Sequence, residues 1–290
     1  GAAPAGMAVA GLDRRLLVVN TALCRLLERD EEWLLARTTL DVVHPDDLDT
    51  VLAVRSRLDA GDDVEPTEVR VVTGSGRTVW VQFGTAVLHD DDGEPSAVVV
   101  QLVDVTETRR VRERLRDLAE HDQLTGALHR APLEDALELL LDRPGSAGRA
   151  PGVLYVDVDG LGRMNNEFGH PAGDLLLTTV ACRMRDELRV DDLLARFGGD
   201  EFVIVLPGVQ SREDARLVAE KVRQAVCQEF DVDGHPVEPA ISIGVALARP
   251  DDTVKRLLKR AKRLTLSARG TFAPTRGAAV SASRTFTLES

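Results

Sequence analysis

Two adjacent acids, Asp200 and Glu201, follow a pair of glycines in the segment Arg-Phe-Gly-Gly-Asp-Glu-Phe at residues 196–202. A Gly-Gly pair between short apolar runs predicts a tight hairpin, because glycine adopts positive φ at little cost. On a straight strand the two acids would point to opposite faces, but at a turn both can reach one cation. Carboxylate and phosphate oxygens are the ligands that Mg²⁺ prefers. The segment predicts a magnesium site; taken alone, it is equally compatible with an ordinary hairpin whose acids are solvated.

A second acidic cluster lies upstream, where the apolar run 153–156 leads into Asp157, Val158 and Asp159. Acids at the end of a buried strand are costly unless they are solvated or bind a cation. In a βαββ arrangement the end of the first strand lies beside the hairpin of the next two, so we expect Asp157 beside Asp200 and Glu201. Converging carboxylates repel one another, and a divalent cation relieves that repulsion. For Asp159 we expect a turn or helix N-cap instead.

The elements that must position these acids follow from the hydrophobic pattern of the second half of the chain. The pattern predicts strands at 153–158, 194–197, 202–206 and 240–248, and helices at 133–141, 174–189, 212–229 and 253–268. Their order, βαββαβ with additions, is that of a ferredoxin-like palm. The predicted fold class of this region is α+β.

The first hundred residues predict a separate α+β module, an antiparallel sheet with flanking helices. One helical pattern lies at 20–28. Short β-like runs predict strands at 7–9, 15–19, 64–72, 78–83 and 97–104. A densely charged helix follows at 107–120, with Val111, Leu115 and Leu118 spaced by four and three residues. That spacing suits a short parallel coiled coil. A solvated linker helix is the alternative.

Composition restricts the classes of partner. The chain has 290 residues, enough for about two domains, and its net charge of −12 argues against a broad nucleic-acid surface. The longest apolar stretch, around 97–100, is too short to span a membrane. We therefore predict a cytoplasmic protein with no nucleic-acid or membrane contact. The three cysteines are isolated, which predicts buried free thiols rather than disulfides or a zinc site.

Between the two acidic clusters, Asn165 and Asp174 offer the amide and carboxylate that can read the edge of guanine. For Asp174 alone, a helix N-cap is the commoner role, and the two roles can coexist. With the landmarks at 122–126 (Asp-Gln-Leu-Thr-Gly), 198–202 and 241–245 (Ile-Ser-Ile-Gly-Val), residues 121–270 resemble the GGDEF family of diguanylate cyclases. The resemblance implies that two GTP molecules condense into cyclic di-GMP with loss of two pyrophosphates.

The resemblance also implies roles for individual residues. Asp200 and Glu201 would be catalytic, and two Mg²⁺ ions per site (with Mn²⁺ as an alternative) would be held by Asp157, Asp200, Glu201 and the carbonyl of Val158. The implied GTP-binding residues are Asn165, Asp174, Gly198, Gly199, Arg163 and Arg269. Because each domain holds one GTP, the product requires two half-sites face to face, and a C2 homodimer is expected.

Arg189 and Asp192 stand three residues apart just before the hairpin. Such a pair is ordinarily a surface ion pair of little energetic value. In the GGDEF family, an RxxD at this offset resembles the site at which the product cyclic di-GMP inhibits the enzyme. An arginine fork suits phosphate and the Hoogsteen edge of guanine, and we favour the inhibitory role for both residues.

Two positions depart from the family pattern. Gly162 stands where relatives usually carry a phosphate-binding Lys, with Arg163 beside it, and the C-terminal helix has Arg269 in place of a Lys but lacks the Gly-Arg that follows. Fewer cations weaken triphosphate binding, so lower activity or a higher KM is expected. The alternative function is a degenerate domain that binds GTP or cyclic di-GMP and regulates a partner.

Residues 5–107 resemble a PAS domain. The resemblance depends on four motifs in order: 11–13 followed by 18–20, 44–47 (His-Pro-Asp-Asp), 77–81, and 104–107 (Asp-Val-Thr-Glu). We predict no chromophore, because His44 lies in a polar turn and Cys24 lies among leucines; a small-metabolite pocket and an empty dimerisation module both stay open. The predicted domains are a PAS sensor (1–106), a helical linker (107–120), a GGDEF domain (121–272) and a disordered tail (273–290).

Overall fold

The computed structural model of the chain describes residues 5–142, 149–232 and 234–263, and the backbone of 265–267, 271–272 and 280–281. The chain divides into two compact units, Gly1–Leu115 and Arg116–Ser290. Arg269 and most of the predicted tail lie outside the described residues. The exact domain boundaries stay a prediction.

The first unit is built on a five-stranded antiparallel sheet. Its strands are β1 Gly6–Ala10, β2 Leu16–Val19, β3 Thr67–Val72, β4 Thr78–His89 and β5 Pro95–Asp104, in the spatial order β2-β1-β5-β4-β3. Between β2 and β3 lie α1 Thr21–Leu27, α2 Glu31–Leu35 and α3 Leu48–Asp59, with single 3-10 turns at Thr39–Val42 and Pro45–Asp47. All five strands were predicted to within a few residues at most of their ends, whereas α2 and α3 were not predicted.

The core of the first unit lies between this sheet and the helices. Side chains alternate along each strand, so Val79, Val81 and Phe83 of β4 are buried together with Leu23 and Leu27 of α1. Asn20 starts α1, since its side chain accepts a hydrogen bond of 2.8 Å from the Leu23 N–H.

The helix α4 Thr106–Glu120 follows β5, and the second unit contains the remaining helices and a second five-stranded sheet. The helices are α5 Arg130–Leu141, α6 Leu161–Phe168, α7 His170–Asp186, α8 Arg212–Val226 and α9 Val254–Arg263. The strands are β6 Ala150–Asp159, β7 Leu193–Gly198, β8 Glu201–Val209, β9 Phe230–Val232, β10 His235–Val237, β11 Ala240–Leu247, β12 Thr265–Ser267, β13 Thr271–Phe272 and β14 Val280–Ser281. β9 pairs with β10 and β13 with β14.

The main sheet of the second unit has the order β12-β11-β6-β8-β7, and every pair in it is antiparallel. The path through β6, the helices α6 and α7, the hairpin β7–β8, α8 and β11 is βαββαβ. This confirms the predicted α+β fold class with a ferredoxin-like palm.

Two hydrophobic layers sandwich this sheet. On one face Leu154 and Val156 pack with α7 and α8 through residues such as Val180 and Val222. On the other face Val153, Tyr155, Val203 and Val205 pack with α5 and α9 through Leu133, Leu137, Leu257 and Leu258. Because alternate residues of β6 face alternate layers, Asp157 leaves the sheet on the side of Tyr155, α5 and α9.

Two predicted helix limits are wrong. α7 begins at His170 rather than Asp174, because Gly169, with φ of 84°, and Pro171 in the first turn start the helix earlier. Asp174 therefore lies inside α7 and does not cap it. α9 ends at Arg263 rather than at residue 268, and the backbone continues as β12, which pairs with the open edge of β11.

The three cysteines are free thiols, as predicted, but they are not all buried. Cys24 and Cys227 are half-buried, whereas Cys182 is exposed because it lies off the buried stripe of α7. Among the described helices, each is too short or too polar to cross a bilayer.

Candidate active site

The Gly-Gly-Asp-Glu segment forms the turn between β7 and β8. Gly198 pairs with Glu201, so the two central residues of the turn are Gly199 and Asp200. Gly198 and Gly199 have φ of 141° and 54°, which favour glycine. The register shifts between Arg196 and Gly198, so Gly198 belongs to a bulge ahead of the turn. The predicted hairpin is confirmed, with its central pair displaced by one residue.

Asp157 lies directly opposite Glu201 in the antiparallel pair of β6 and β8. The Cα atoms of opposed residues in such a pair are about 4.5–5.5 Å apart, and their side chains leave the sheet on the same face. Asp200 adjoins them from the turn, because its carbonyl oxygen accepts a hydrogen bond of 2.9 Å from the Val158 N–H. The backbone thus brings the three predicted acids to one end of β6.

Asp159, at the end of β6, has a different role from the predicted N-cap. Its carboxylate accepts a hydrogen bond of 3.1 Å from the Ser242 hydroxyl on β11. The N-cap of α6 is Gly160, with φ of 83°. The capping prediction is wrong because the turn into α6 requires a left-handed residue, which glycine supplies.

Lys262, a residue of α9 that the sequence analysis did not single out, contacts the acidic site. Its ammonium group donates a hydrogen bond to the Glu201 carboxylate and lies 3.3 Å from the Tyr155 hydroxyl. It also lies 4.9 Å from the centre of the Tyr155 ring. The contact links residues 61 positions apart in the chain, so no local pattern could have revealed it.

The acids at this site are in unlike environments. Burial raises the pKa of Asp157, and the negative charges of Asp200, Asp159 and Glu201 raise it further. Burial also acts to raise the pKa of Glu201, but hydrogen bonds from Lys262 and Tyr155 outweigh it and lower that pKa. The negative charge of Asp157 is therefore disfavoured in the folded chain, whereas that of Glu201 is favoured.

The donor set suits Mg²⁺ in chemical type, since carboxylate and carbonyl oxygens are hard ligands. In the described part of the chain, no three acidic, histidine or cysteine side chains are already gathered closely enough to hold a metal ion. Burial and the neighbouring negative charges around Asp157 favour a cation there, while Glu201 is engaged by Lys262. In residue type the three acids fit a magnesium site, and their role as metal ligands stays a prediction.

The hairpin accepts hydrogen bonds from an arginine that the sequence prediction also missed. Arg196 donates hydrogen bonds of 3.0 and 2.8 Å to the Gly199 carbonyl oxygen and contacts Asp122 at 3.1 Å. Asp122 in turn accepts from the N–H and hydroxyl of Thr125, at 2.9 and 2.7 Å. The Asp-Gln-Leu-Thr-Gly motif at 122–126 therefore anchors the turn between β7 and β8.

The predicted guanine-binding residues come from neighbouring helices. Asn165 lies on α6 and Asp174 is exposed on α7. A Cβ atom at Gly173 would lie 1.9 Å from Asn165 Oδ1, so glycine allows the Asn165 side chain to sit against α7 next to Asp174. Asn165 Oδ1 is buried without a hydrogen-bond partner among the described residues. Asn165 therefore packs against the residue that precedes Asp174, and guanine binding by the two stays a prediction.

Gly162, where relatives usually carry a lysine, lies near the start of α6. Gly162 and Arg163 are exposed in the first turn of α6, and a Cβ at Gly162 would meet no atom within 4 Å. The space around position 162 would therefore admit a lysine side chain.

Arg189 and Asp192 form a turn rather than the surface ion pair that their spacing would ordinarily give. The Asp192 carboxylate accepts a hydrogen bond of 2.9 Å from the Arg189 N–H, which leaves the Arg189 side chain exposed. Both residues line a surface cavity of about 430 Å³, together with Arg149, Lys221 and Asp214. Arg149 and Lys221 are cations of this cavity that the sequence did not single out.

The chain matches known families along both units. The family described as diguanylate cyclase, GGDEF domain, matches residues 119–271, and the PAS fold matches residues 1–110. The bifunctional diguanylate cyclase/cyclic di-GMP phosphodiesterase MucR of Pseudomonas aeruginosa is 38% identical over 155 residues, which is 53% of this chain and 22% of MucR. The probable diguanylate cyclase DgcE of Escherichia coli is 35% identical over 174 residues, 60% of this chain and 16% of DgcE.

Among solved structures, the GGDEF domain of TpbB (YfiN) from Pseudomonas aeruginosa is 35% identical, with a TM-score of 0.48 over 50% of this chain and 85% of that one. The chain belongs to the GGDEF family, with a PAS fold ahead of the GGDEF domain. It spans between 22% and 31% of the length of the curated relatives MucR, Mb1389c of Mycobacterium bovis and y4lL of Sinorhizobium fredii.

Proposed function

We propose that this chain is a diguanylate cyclase that joins two GTP molecules into cyclic di-GMP and releases two pyrophosphates. The observation that carries the proposal is the pairing of Asp157 with Glu201 across β6 and β8, with Asp200 beside them at the turn. A shared acidic site next to a glycine turn is suited to a metal-bound triphosphate, because glycine lets phosphate oxygens approach the backbone.

In this reaction the chain would position the nucleotide and bind the metal ions that neutralise the negative charge of its phosphates. Asp157, Asp200, Glu201 and the Val158 carbonyl would hold two Mg²⁺ ions, with Mn²⁺ as an alternative. When bound, Mg²⁺ lowers the pKa of the attacking 3′-hydroxyl and neutralises the charge that develops on the phosphate. Asn165 and Asp174 would fix the guanine, so that the α-phosphate lies over the hairpin that Arg196 and Asp122 support.

Two such half-sites must face each other, so the proposal includes a homodimer. The apolar seam of α4 supports it: Val111, Leu115 and Leu118 are 55%, 61% and 39% exposed in the single chain, at the spacing that a parallel coiled coil buries. We propose that the PAS unit controls the alignment of the half-sites through this helix.

The cavity at Arg189 and Asp192 supports product inhibition. Three cations, Arg149, Arg189 and Lys221, line it, and the guanidinium of Arg189 is presented to solvent because Asp192 bonds to the backbone. Phosphates and guanine edges of cyclic di-GMP suit this set.

A second candidate function is a nucleotide-binding regulatory module without turnover. The contact of Lys262 with Glu201 favours it, because that contact engages a proposed metal ligand. The glycine at position 162 also favours it, because it leaves out a phosphate-binding cation. It predicts GTP or cyclic di-GMP binding without product.

The test is incubation of the chain with GTP and Mg²⁺, followed by chromatography for cyclic di-GMP. We expect product from the wild type and from Arg189→Ala, in which bound product cannot hide activity, and none from Asp200→Asn. Nucleotide binding without product in both wild type and Arg189→Ala would exclude the cyclase and leave the regulatory module.

A further inference from the structure

The core of the first unit is incompletely filled. A cavity of about 70 Å³ lies between its sheet and its helices, with walls that include Leu23, Leu27, Val69, Val71 and Leu102. A buried water needs about 10–15 Å³ of such space, so the cavity has room for roughly five heavy atoms. Because the walls are mainly aliphatic, they favour a small apolar group over water.

One part of this cavity is cationic. Among the described residues that line it, the charged ones are Arg14 and Arg55. Both guanidinium groups pair with the same carboxylate: Arg14 Nη2 donates to Asp59, and Arg55 Nε lies 3.5 Å from it. Two positive charges share one negative charge, so this part of the cavity has an excess of one positive charge. A ligand with a single negative charge would balance it.

Arg14 also has an unused hydrogen-bond donor. Its side chain is 8% exposed, and its Nε is buried with no partner in the described part of the chain. The hydroxyl of Thr85, another residue of the cavity wall, is buried and unpartnered in the same way. A buried polar group without a partner is unfavourable, and an acceptor on a ligand would remove that penalty.

The backbone conformation at position 14 does not by itself favour arginine. Arg14 closes the turn after β1 with φ of 71°, and its N–H donates to the Gly11 carbonyl at 2.8 Å. Glycine or asparagine adopts this conformation at lower cost than arginine. The turn alone therefore does not explain the residue, whereas a guanidinium in the cavity does.

We propose that the first unit binds a small aliphatic monocarboxylate in this cavity, with its hydrocarbon chain against the leucine and valine walls and its carboxylate accepting a hydrogen bond from Arg14 Nε. The ligand is a compact anion with an apolar tail. Its binding depends on the first unit and not on the proposed cyclase reaction.

Isothermal titration calorimetry of the full chain tests the proposal, with acetate, propanoate, hexanoate and 1-propanol as probes. We expect affinity to rise by up to about fourfold for the methylene that propanoate adds to acetate, and hexanoate, which exceeds the cavity, to bind less tightly than propanoate. 1-Propanol should bind more weakly than propanoate because it carries no charge.

Arg14→Gly is the decisive variant, because glycine suits the φ of 71° and the variant should fold. The fluorescence of Trp33 and Trp80, which both belong to this unit, checks its folding. We expect propanoate affinity to fall by about tenfold or more and 1-propanol affinity to stay the same. Arg57→Ala, an exposed arginine of α3 outside the cavity lining, should bind as the wild type does.

Three results would overturn the proposal: no binding of any of the three carboxylates at two temperatures, equal affinity for propanoate and 1-propanol, or unchanged propanoate binding in folded Arg14→Gly.

Discussion

The ammonium group of Lys262 donates a hydrogen bond to the Glu201 carboxylate, so α9 places a fixed cation on one of the acids predicted to bind metal. The same ammonium lies 3.3 Å from the hydroxyl of Tyr155, the single tyrosine of the chain. In a cyclase, Lys262 and a metal ion would compete for Glu201.

We therefore expect Lys262→Met to lower the Mg²⁺ concentration that gives half-maximal activity. The Lys262 side chain is 55% exposed, so solvent screens the pair and the expected change is modest, up to about fivefold. Initial rates over a range of Mg²⁺ at saturating GTP measure it, and Lys259→Met, an exposed lysine of the same helix, is the control. An unchanged Mg²⁺ requirement with a higher KM for GTP would instead assign Lys262 to the phosphates.

Gly162→Lys should restore a cation to the first turn of α6. A Cβ at this position meets no atom within 4 Å, so the substitution needs no rearrangement. We expect the KM for GTP to fall by up to about tenfold, the effect of one charged hydrogen bond, with kcat little changed.

Gly162→Ala is the matched control for that experiment. It gains about 1 kcal/mol of helix propensity without the charge, so it should raise the melting temperature and leave the KM as it is. If alanine lowers the KM as much as lysine does, helix stability and not phosphate binding is responsible.

Asp122→Ala should disconnect the catalytic turn from its support. Asp122 and Arg196 are 20% and 13% exposed, so the pair is largely buried, and loss of Asp122 leaves Arg196 without its carboxylate. Because small displacements at a catalytic turn reduce rates strongly, we expect kcat to fall by about tenfold to a hundredfold. Asp135→Ala, an exposed acid of α5, should retain full activity; equal losses in the two variants would refute a specific role for Asp122.

Leu115→Glu should separate the proposed dimer. The side chain is 61% exposed in one chain, and a charge in the seam of a coiled coil is unfavourable. Light scattering after size-exclusion chromatography should give the mass of one chain instead of two, and cyclic di-GMP synthesis should be lost. Leu139→Glu, at a leucine of α5 that is 63% exposed, should remain a dimer. A dimeric and active Leu115→Glu variant would rule out the α4 seam as the interface.

Glu28 should make the first unit sensitive to acid. Hydrogen bonds from Ser75, Arg77 and Thr73 lower its pKa from 4.5 to about 2. A carboxyl group with a lowered pKa in the folded state contributes stability above its unfolded pKa, and that contribution is lost as the pH falls towards the folded pKa. The expected loss lies between pH 4.5 and about pH 2.

Urea unfolding followed by tryptophan fluorescence measures this effect, because Trp33 and Trp80 both lie in the first unit. Glu28→Gln should be less stable than the wild type above pH 4.5, and the difference should shrink as the pH is lowered. A difference that stays constant with pH would mean that ionisation of Glu28 is not involved.

The acidic site was predictable from the sequence because local patterns define it. The Gly-Gly pair marks the hairpin, and the apolar run before Asp157 marks the strand beside it. The fold class places the end of that strand beside the hairpin, and the register seen in the structure sets Asp157 opposite Glu201. The turn was displaced by one residue because a bulge at Gly198, which depends on the partner strand, cannot be read from the hairpin alone.

Contacts between distant segments could not be predicted. Lys262 reaches Glu201 across 61 residues, and Arg196 reaches Asp122 across 74. The start of α7 is different, since two local signals compete there: Gly169 followed by Pro171 indicates a helix start, and the carboxylate of Asp174 indicates a later N-cap. The cavity beside Arg14 is lined by α1, α3 and the 3-10 turn at Thr39–Val42, and of these elements α1 alone was predicted.

The two hydrophobic layers of the GGDEF sheet have a consequence for how such a domain can change. Asn165 belongs to a helix packed on the layer of α7 and α8, whereas Asp157 and Glu201 face the layer of α5 and α9. If the chain binds GTP as proposed, a repacking mutation in either layer would disturb one end of the nucleotide and spare the other. Purine selectivity and turnover would then be able to drift independently in this scaffold.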